Sequence, residues 1–298
     1  MLPRTFTSDI IISMKNIAVI TGASSGMGKE FAIQVARNYD FDEIWIVARR
    51  LENLEQLAQT INQTKNFLVV RPVQLDLGGM EGVRQLENLL KEENEKLVKV
   101  ESGIQIGLLV NNAGFGTYGP FEDTSVTAQM QMVELNCTAL TGLCGIALPF
   151  MKKGSVIINT SSLAAFMPLG NFAVYAATKA YVLSLSVALA AELKDRGIKV
   201  SALCPGSVST EFANVASNGA RKEVKGGIPP EGVVAQCLAR AYKGKLTSLY
   251  RLKWRLTAFM SRFVGRGLVA RYTYKHMQRP RNPDEEQKEK EISIEEFN

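Results

Sequence analysis

The sequence predicts an α/β protein built on a parallel sheet with helices on both faces. Three observations point there. Short β-branched apolar runs alternate with amphipathic stretches of helical period along most of the chain. The first such run passes through a glycine cluster straight into a helical pattern. A chain of 298 residues with 46% hydrophobic content can also bury one large core.

Ile17-Ala18-Val19-Ile20-Thr21 reads as a buried strand. Gly22-Ala23-Ser24-Ser25-Gly26-Met27-Gly28 follows, then a helix from Lys29 to Asn38. Glycines let a backbone approach a pyrophosphate, and the free N–H groups and dipole of a helix start face its charge. Gly22, Ser24, Ser25, Gly26, Met27 and Gly28 are therefore candidate dinucleotide contacts, although a plain strand–turn–helix corner has the same outline.

The next strand, Glu43 to Val47, ends in Ala48-Arg49-Arg50. Sites for NAD usually place an acid here to bind the ribose 2′-hydroxyl, whereas an arginine suits a 2′-phosphate. Ala48 holds the acid's position, so Arg49 favours NADP(H) while leaving NAD(H) admissible. The alternative is two surface arginines opening a helix.

Leu68 to Leu75 is the third strand and runs into Asp76. Leu135 to Met151 reads as a buried helix ending at Pro149. Strands follow at Ser155–Thr160 and Ile198–Leu203, with Leu246–Tyr250 as the candidate for a last one. A Ser/Asn/Gly-rich stretch between Ser207 and Pro230 is expected to form a mobile substrate loop.

The helix expected from Asn171 to Arg196 carries Tyr175 and Lys179 one turn apart, on one face. A free tyrosine, with a pKa of about 10, transfers protons poorly near neutrality; a fixed cation beside it favours the phenolate. The pair thus describes an acid/base for alcohol–carbonyl interconversion. Alone, it equally describes a solvated helix face.

Thr21-Gly22-x-x-x-Gly26-x-Gly28, Asn111-Asn112-Ala113-Gly114, Ser162, Tyr175-x-x-x-Lys179 and Pro205-Gly206 occur in fixed order, with Ser162 standing 13 positions before Tyr175. In this the chain resembles the short-chain dehydrogenase/reductases from about Lys15 to Lys245. The resemblance implies a seven-stranded, doubly wound Rossmann fold and NAD(P)-dependent hydride transfer. It implies that Ser162 hydrogen-bonds the substrate oxygen, and that Tyr175 is the acid in reduction and the base in oxidation. Lys179 would hold the nicotinamide ribose and lower the Tyr175 pKa, and Asn136 would order a water linking that lysine to solvent. Asp76 would contact the adenine, and Asn112, Ala113, Gly114, Pro205 and Gly206 would lie along the cofactor. Thr210 would bind the carboxamide, and Asn111 would brace the central strands. A homodimer or homotetramer is implied as well. Gly107 departs from the pattern, standing where an aspartate often precedes the Leu-Val-Asn-Asn run.

Phe166, Met167, Leu169 and Phe212 suggest an apolar pocket for a steroid, retinoid, acyl or aromatic carbonyl. Three functions compete: an NADPH-dependent carbonyl reductase, an NAD-linked alcohol or hydroxysteroid dehydrogenase working oxidatively at a membrane, and a non-catalytic nucleotide sensor. His276 is the only histidine, which argues against serine–histidine hydrolysis and a catalytic zinc. Four cysteines in apolar contexts suit reduced core residues of a cytoplasmic protein.

Residues 1–13 read as a frayed extension or a misassigned start, too short in apolar residues for a secretory signal. No transmembrane segment is expected, and nothing in the main domain, residues 14–245, asks for nucleic acid. From Leu246 to Pro283 there are nine Lys/Arg and no Asp/Glu. Leu252, Leu256, Phe259, Met260 and Phe263 share one helical stripe there, with arginines beside it. That stripe fits packing over the pocket or against another subunit, and also peripheral contact of residues 246–275 with an anionic membrane. Residues 284–298, with seven acids, are expected to be a solvated tail.

Overall fold

The computed structural model describes residues 14–64, 68–99, 102–222, 224 and 226–284. The expectations for residues 1–13 and 285–298 lie outside them. The elements run β1 (Lys15–Thr21), α1 (Gly26–Asn38), β2 (Glu43–Ala48), α2 (Leu51–Asn62), β3 (Val69–Gln74), α3 (Gly79–Val98), β4 (Ile104–Asn111) and α4 (Val126–Val133). They continue with α5 (Leu140–Ala147), β5 (Val156–Thr160), α6 (Ala173–Glu192), β6 (Lys199–Leu203), α7 (Phe212–Ala216) and α8 (Pro230–Tyr242). A two-residue β7 (Thr247–Ser248) precedes α9 (Leu252–Met260) and α10 (Arg266–His276).

The strands form one parallel sheet in the order β3-β2-β1-β4-β5-β6-β7. Every residue of β2 is buried, the mark of a strand covered on both faces. Side chains of a strand point alternately to opposite faces. Ala18 and Ile20 accordingly enter a core with Phe31, Val35, Leu54 and Val233, while Ile17 and Val19 enter another with Leu86, Leu90, Leu143 and Val182. The strand order reverses between β1 and β4, which opens a crevice at the carboxyl ends of the strands.

Two helical runs, Val126–Phe150 and Ala173–Glu192, are long and apolar enough to cross a membrane. Both pack within this fold, against β4 and against β5 and β6 respectively. The first holds a π-helical turn at Glu134–Ala139, centred on Asn136 and Cys137, where the sequence suggested an unbroken helix.

The basic segment returns to the domain. Trp254 of α9 is buried over Gly206, where a Cβ would come within 2.4 Å of the indole nitrogen, so only glycine permits the contact. Thr273 of α10 is buried too, its hydroxyl accepting from the Gly170 N–H at 2.9 Å. The stripe read from the sequence does not make these contacts. Leu252 is 78% exposed and Phe263 70%, with Leu256, Phe259 and Met260 also outward. The helix turns instead on Trp254 and Ala258, because the Pro205-Gly206 turn offers a flat seat to an indole. Asp284, expected to open a solvated tail, is bound: its carboxylate pairs with Arg281 and accepts the Ser125 N–H at 2.8 Å.

Candidate active site

At the end of β1 the Thr21 hydroxyl donates to the Val110 carbonyl at 3.2 Å. It accepts from the N–H groups of Asn112 and Ala113 at 3.0 and 3.1 Å. The two strands flanking the crevice are thereby locked together. Gly22 has φ +65°, and a Cβ on Gly28 would come within 2.1 Å of the Gly22 carbonyl oxygen. Only glycines let α1 begin so close to the turn. Ser25 forms no side-chain cap, and Ser25, Gly26 and Met27 line the cleft, so the free N–H groups of the first turn open onto it. A glycine cradle at an uncapped helix start fits a dinucleotide's pyrophosphate.

The cleft encloses about 1240 Å³. Besides that turn it is lined by Arg49, Asp76, Asn112, Ala113, Gly114, Pro205, Gly206 and Thr210 from the sequence-based set. Gly28 and Asn136 stand behind the lining. Arg50, which the sequence reading passed over for Arg49, donates to the Ser24 hydroxyl at 3.1 Å and pairs with Glu211 at 2.8 Å. That arginine holds Glu211's carboxyl below its ordinary pKa. Arg49 stands exposed at the same edge, and nothing but its position beside Arg49 marked Arg50.

Tyr175 and Lys179 enter the cleft from the first turns of α6, both buried. Lys179 Nζ donates to the Thr160 carbonyl at 2.9 Å and lies 5.6 Å from the Tyr175 ring centre. Ser162 follows β5, donates to the Pro205 carbonyl at 3.5 Å, accepts the Ala164 N–H at 3.1 Å and lies near enough to the Tyr175 phenol to oppose the rise in its pKa. Ser161, its neighbour, is turned away and donates to the Lys179 carbonyl at 2.7 Å. The spacing from Tyr175 thus selects the serine that the structure puts beside the phenol.

Burial raises the pKa of Tyr175; Ser162 and Arg279 oppose the rise and Tyr118 adds to it. Burial lowers Lys179 to about 8. The expected depression of the phenol by the lysine is therefore not what this geometry gives, because desolvation acts on both groups.

Behind this pair a polar brace fixes α6. Asn111 donates to Asn159 at 2.9 Å, and Asn159 donates to Ser186 of α6 at 3.0 Å. Asn136 donates to the Phe115 carbonyl and to Thr178 at 2.9 and 3.1 Å, and accepts the Phe115 N–H at 3.1 Å. Its side chain is thus engaged in holding the loop after β4 against α6.

The far half of the cleft is apolar. Tyr118 packs on Phe172 at 4.8 Å, Phe172 stacks on Tyr175 at 4.2 Å, and Phe212 tilts against Tyr175 at 5.3 Å. Met167 and Leu169 join that lining; Phe166, grouped with them in the sequence, does not. Asn171, before α6, has φ +60°, and its side chain donates to the Tyr274 carbonyl at 2.8 Å. The start of the tyrosine helix is thus set from α10, which nothing in the sequence disclosed.

The family model described as short chain dehydrogenase matches residues 16–220. The chain belongs to the short-chain dehydrogenase/reductase family. It is an oxidoreductase of that family and has its Rossmann-type fold. Over 219 residues this dehydrogenase/reductase is 31% identical to mouse 17-beta-hydroxysteroid dehydrogenase type 3, covering 72% of this chain and 67% of that one. It is also 31% identical to the very-long-chain 3-oxoacyl-CoA reductase of Podospora anserina, over 66% of this chain and 56% of the relative. The aligned stretch thus spans between about half and two thirds of these relatives' lengths. Among solved structures, a short-chain dehydrogenase from Sphingobium yanoikuyae in complex with NADPH superposes with a TM-score of 0.69 at 28% identity, over 85% of this chain and 94% of that one. A family member from Burkholderia phymatum in complex with NAD shares the fold, with a TM-score of 0.72 at 20% identity, covering 92% and 99%.

Proposed function

We propose that this dehydrogenase/reductase reduces hydrophobic ketones or aldehydes with NADPH as the preferred dinucleotide. The observation that carries the reading is the meeting of Tyr175, Ser162 and Lys179 at the ends of the central strands, against an aromatic wall. The Gly22–Gly28 turn, Asp76, Asn112 to Gly114, Pro205, Gly206, Thr210 and Lys179 would hold the dinucleotide. Arg49 and Arg50 would meet a ribose 2′-phosphate with forked, charge-assisted hydrogen bonds. When bound, the cofactor supplies the hydride. Ser162 polarises the substrate oxygen, and Tyr175 gives it the phenolic proton. Burial keeps the Tyr175 phenol protonated at neutral pH, the form that can give a proton to a substrate oxygen. Phe172, Tyr118 and Phe212 exclude water from the reacting oxygen.

The experiment is NADPH and NADH oxidation over steroid, acyl-thioester, quinone and aromatic ketone substrates. Consumption confined to bulky apolar carbonyls, faster with NADPH, supports the reading. Dinucleotide binding with no consumption over the whole panel overturns it in favour of a nucleotide sensor.

The outward stripe of α9 supports a further part of this reading, that the protein rests on an anionic lipid surface. Its exposed Leu252, Leu256, Phe259 and Phe263 are accompanied by exposed Arg251, Arg255, Arg262 and Arg266, with no acid from Leu246 to Pro283. Leu252 and Arg251 also line the cleft, so an apolar substrate would enter from the surface the stripe touches.

A further inference from the structure

Two cations at the cleft's apolar end have no part in proton or hydride transfer. The Arg279 guanidinium lies 4.8 Å from the Tyr118 ring centre and 5.1 Å from that of Phe172. Phe172 is itself stacked on Tyr175, so one phenyl ring separates the guanidinium from the catalytic phenol. Arg221 lines the same cleft, close enough to oppose the charge on Arg279, whose pKa is lowered first by burial. Among the described residues neither arginine has an ion-pair partner. The acids lining the cleft, Asp76 and Glu211, stand at its nucleotide end, and Glu211 is taken by Arg50.

The ring faces attract the Arg279 guanidinium, but two half-buried like charges without a counter-ion still repel, and an anion between them would relieve that cost. The fold nevertheless fixes Arg279 there. The strap that carries it is pinned on both sides: the Asn282 N–H donates to the Ser217 carbonyl at 3.0 Å, and the Asn282 side chain to the Asn218 carbonyl at 2.8 Å. Asn218 returns a bond to the Pro283 carbonyl at 3.0 Å, and Arg281 donates to the Asp123 carbonyl at 3.1 Å. A guanidinium held this way is preorganised, and its forked donors match a carboxylate or a phosphate.

We infer that Arg279 and Arg221 receive an anionic group, carboxylate or phosphate, at one end of the substrate while its carbonyl lies at Tyr175 and Ser162. The substrates are then amphipathic oxo acids: a reducible carbonyl, an apolar middle on Tyr118, Phe172 and Phe212, and an acidic end. The position of the carbonyl rests on the reductase reading above; the anion site rests on the two arginines.

The test compares 4-oxo-4-phenylbutanoate, its methyl ester and 4-oxo-4-phenylbutyl phosphate in the full chain with NADPH. Both kcat/KM and calorimetric affinity are measured. We expect the carboxylate, the phosphate or both to exceed the ester by roughly 10- to 100-fold, and the two acidic probes to show which anion is meant. Arg279→Gln and Arg221→Gln should bring that ratio to within about threefold of unity, with partial recovery in Arg279→Lys. An unchanged NADPH affinity checks that each variant is folded. Equal handling of ester and acids, or a preference that survives both glutamine variants, overturns the inference. Arginine-dependent acid binding without turnover of any probe keeps the anion site and removes the reductase reading. Turnover of the ester with no acid preference does the reverse.

Discussion

Lys179 donates from Nζ to the carbonyl oxygen of Thr160 at 2.9 Å, tying the tyrosine helix to the end of β5. The bond holds an ammonium in a fully buried place, where desolvation brings its pKa down to about 8. The unfolded chain keeps that lysine near its ordinary 10.5. Between these values the unfolded state binds more protons, so stability rises with pH through this window and is lost as pH falls from 10.5 towards about 8. Urea unfolding at pH 7.5 and 10.5 should show an increment of about 3 kcal/mol in the wild type that Lys179→Met lacks. The same increment in both proteins would mean that other groups cause it.

Tyr175→Phe removes the proton donor and leaves the aromatic stack. Turnover should fall by roughly 10²- to 10⁴-fold while NADPH affinity stays within about twofold. Wild-type turnover in this variant would remove Tyr175 from the chemistry.

Arg49 and Arg50 divide the cleft's nucleotide edge between them. Each alanine variant should weaken NADPH by about 10- to 100-fold, as for hydrogen bonds to a charged partner, and NADH by less than about threefold. Glu211→Gln should strengthen NADPH binding a few-fold, because it frees Arg50 from its 2.8 Å pair. Equal losses for both dinucleotides would show that these arginines do not read the 2′-phosphate.

The outward face of α9 is checked with vesicles. The wild type should sediment with vesicles of phosphatidylcholine containing phosphatidylserine, less so at high salt, and weakly with phosphatidylcholine alone. Leu256→Asp with Phe263→Asp should remove most of that binding. Should the pair instead convert a dimer to a monomer in light scattering, with vesicle binding absent throughout, the face belongs to a second copy of this chain.

Much of the glycine-turn half of the cleft was legible because its residues are local. Gly22 to Gly28, Asn111 to Gly114 and Tyr175 to Lys179 each act within one turn of chain. The sheet was legible for a similar reason: strands such as Glu43 to Ala48 are apolar from Ile44 onward, since both faces are covered. The seventh strand was hard to place because two residues carry no periodicity. The α9 stripe left its partner open because helical spacing shows which residues share a face, not which face is buried; Trp254 and the small Ala258 decided that. Arg279, Asn171 and Arg50 were hidden because their partners lie far along the chain, and no local pattern ties Tyr274 to Asn171 or Phe172 to Arg279.

The Asn171–Tyr274 bond and the seat of Trp254 on Gly206 carry a consequence for how the site matures. Every motif that names the chemistry has been made by residue 210. The roof over the substrate half is the last described part to be synthesised, and it bears directly on the turn that starts the tyrosine helix. On the function proposed above, we expect a chain that lacks this segment to own a finished sheet and glycine cradle while Tyr175 is badly aimed. Shortening the protein at Tyr250 should yield a competent dinucleotide binder that is a poor enzyme.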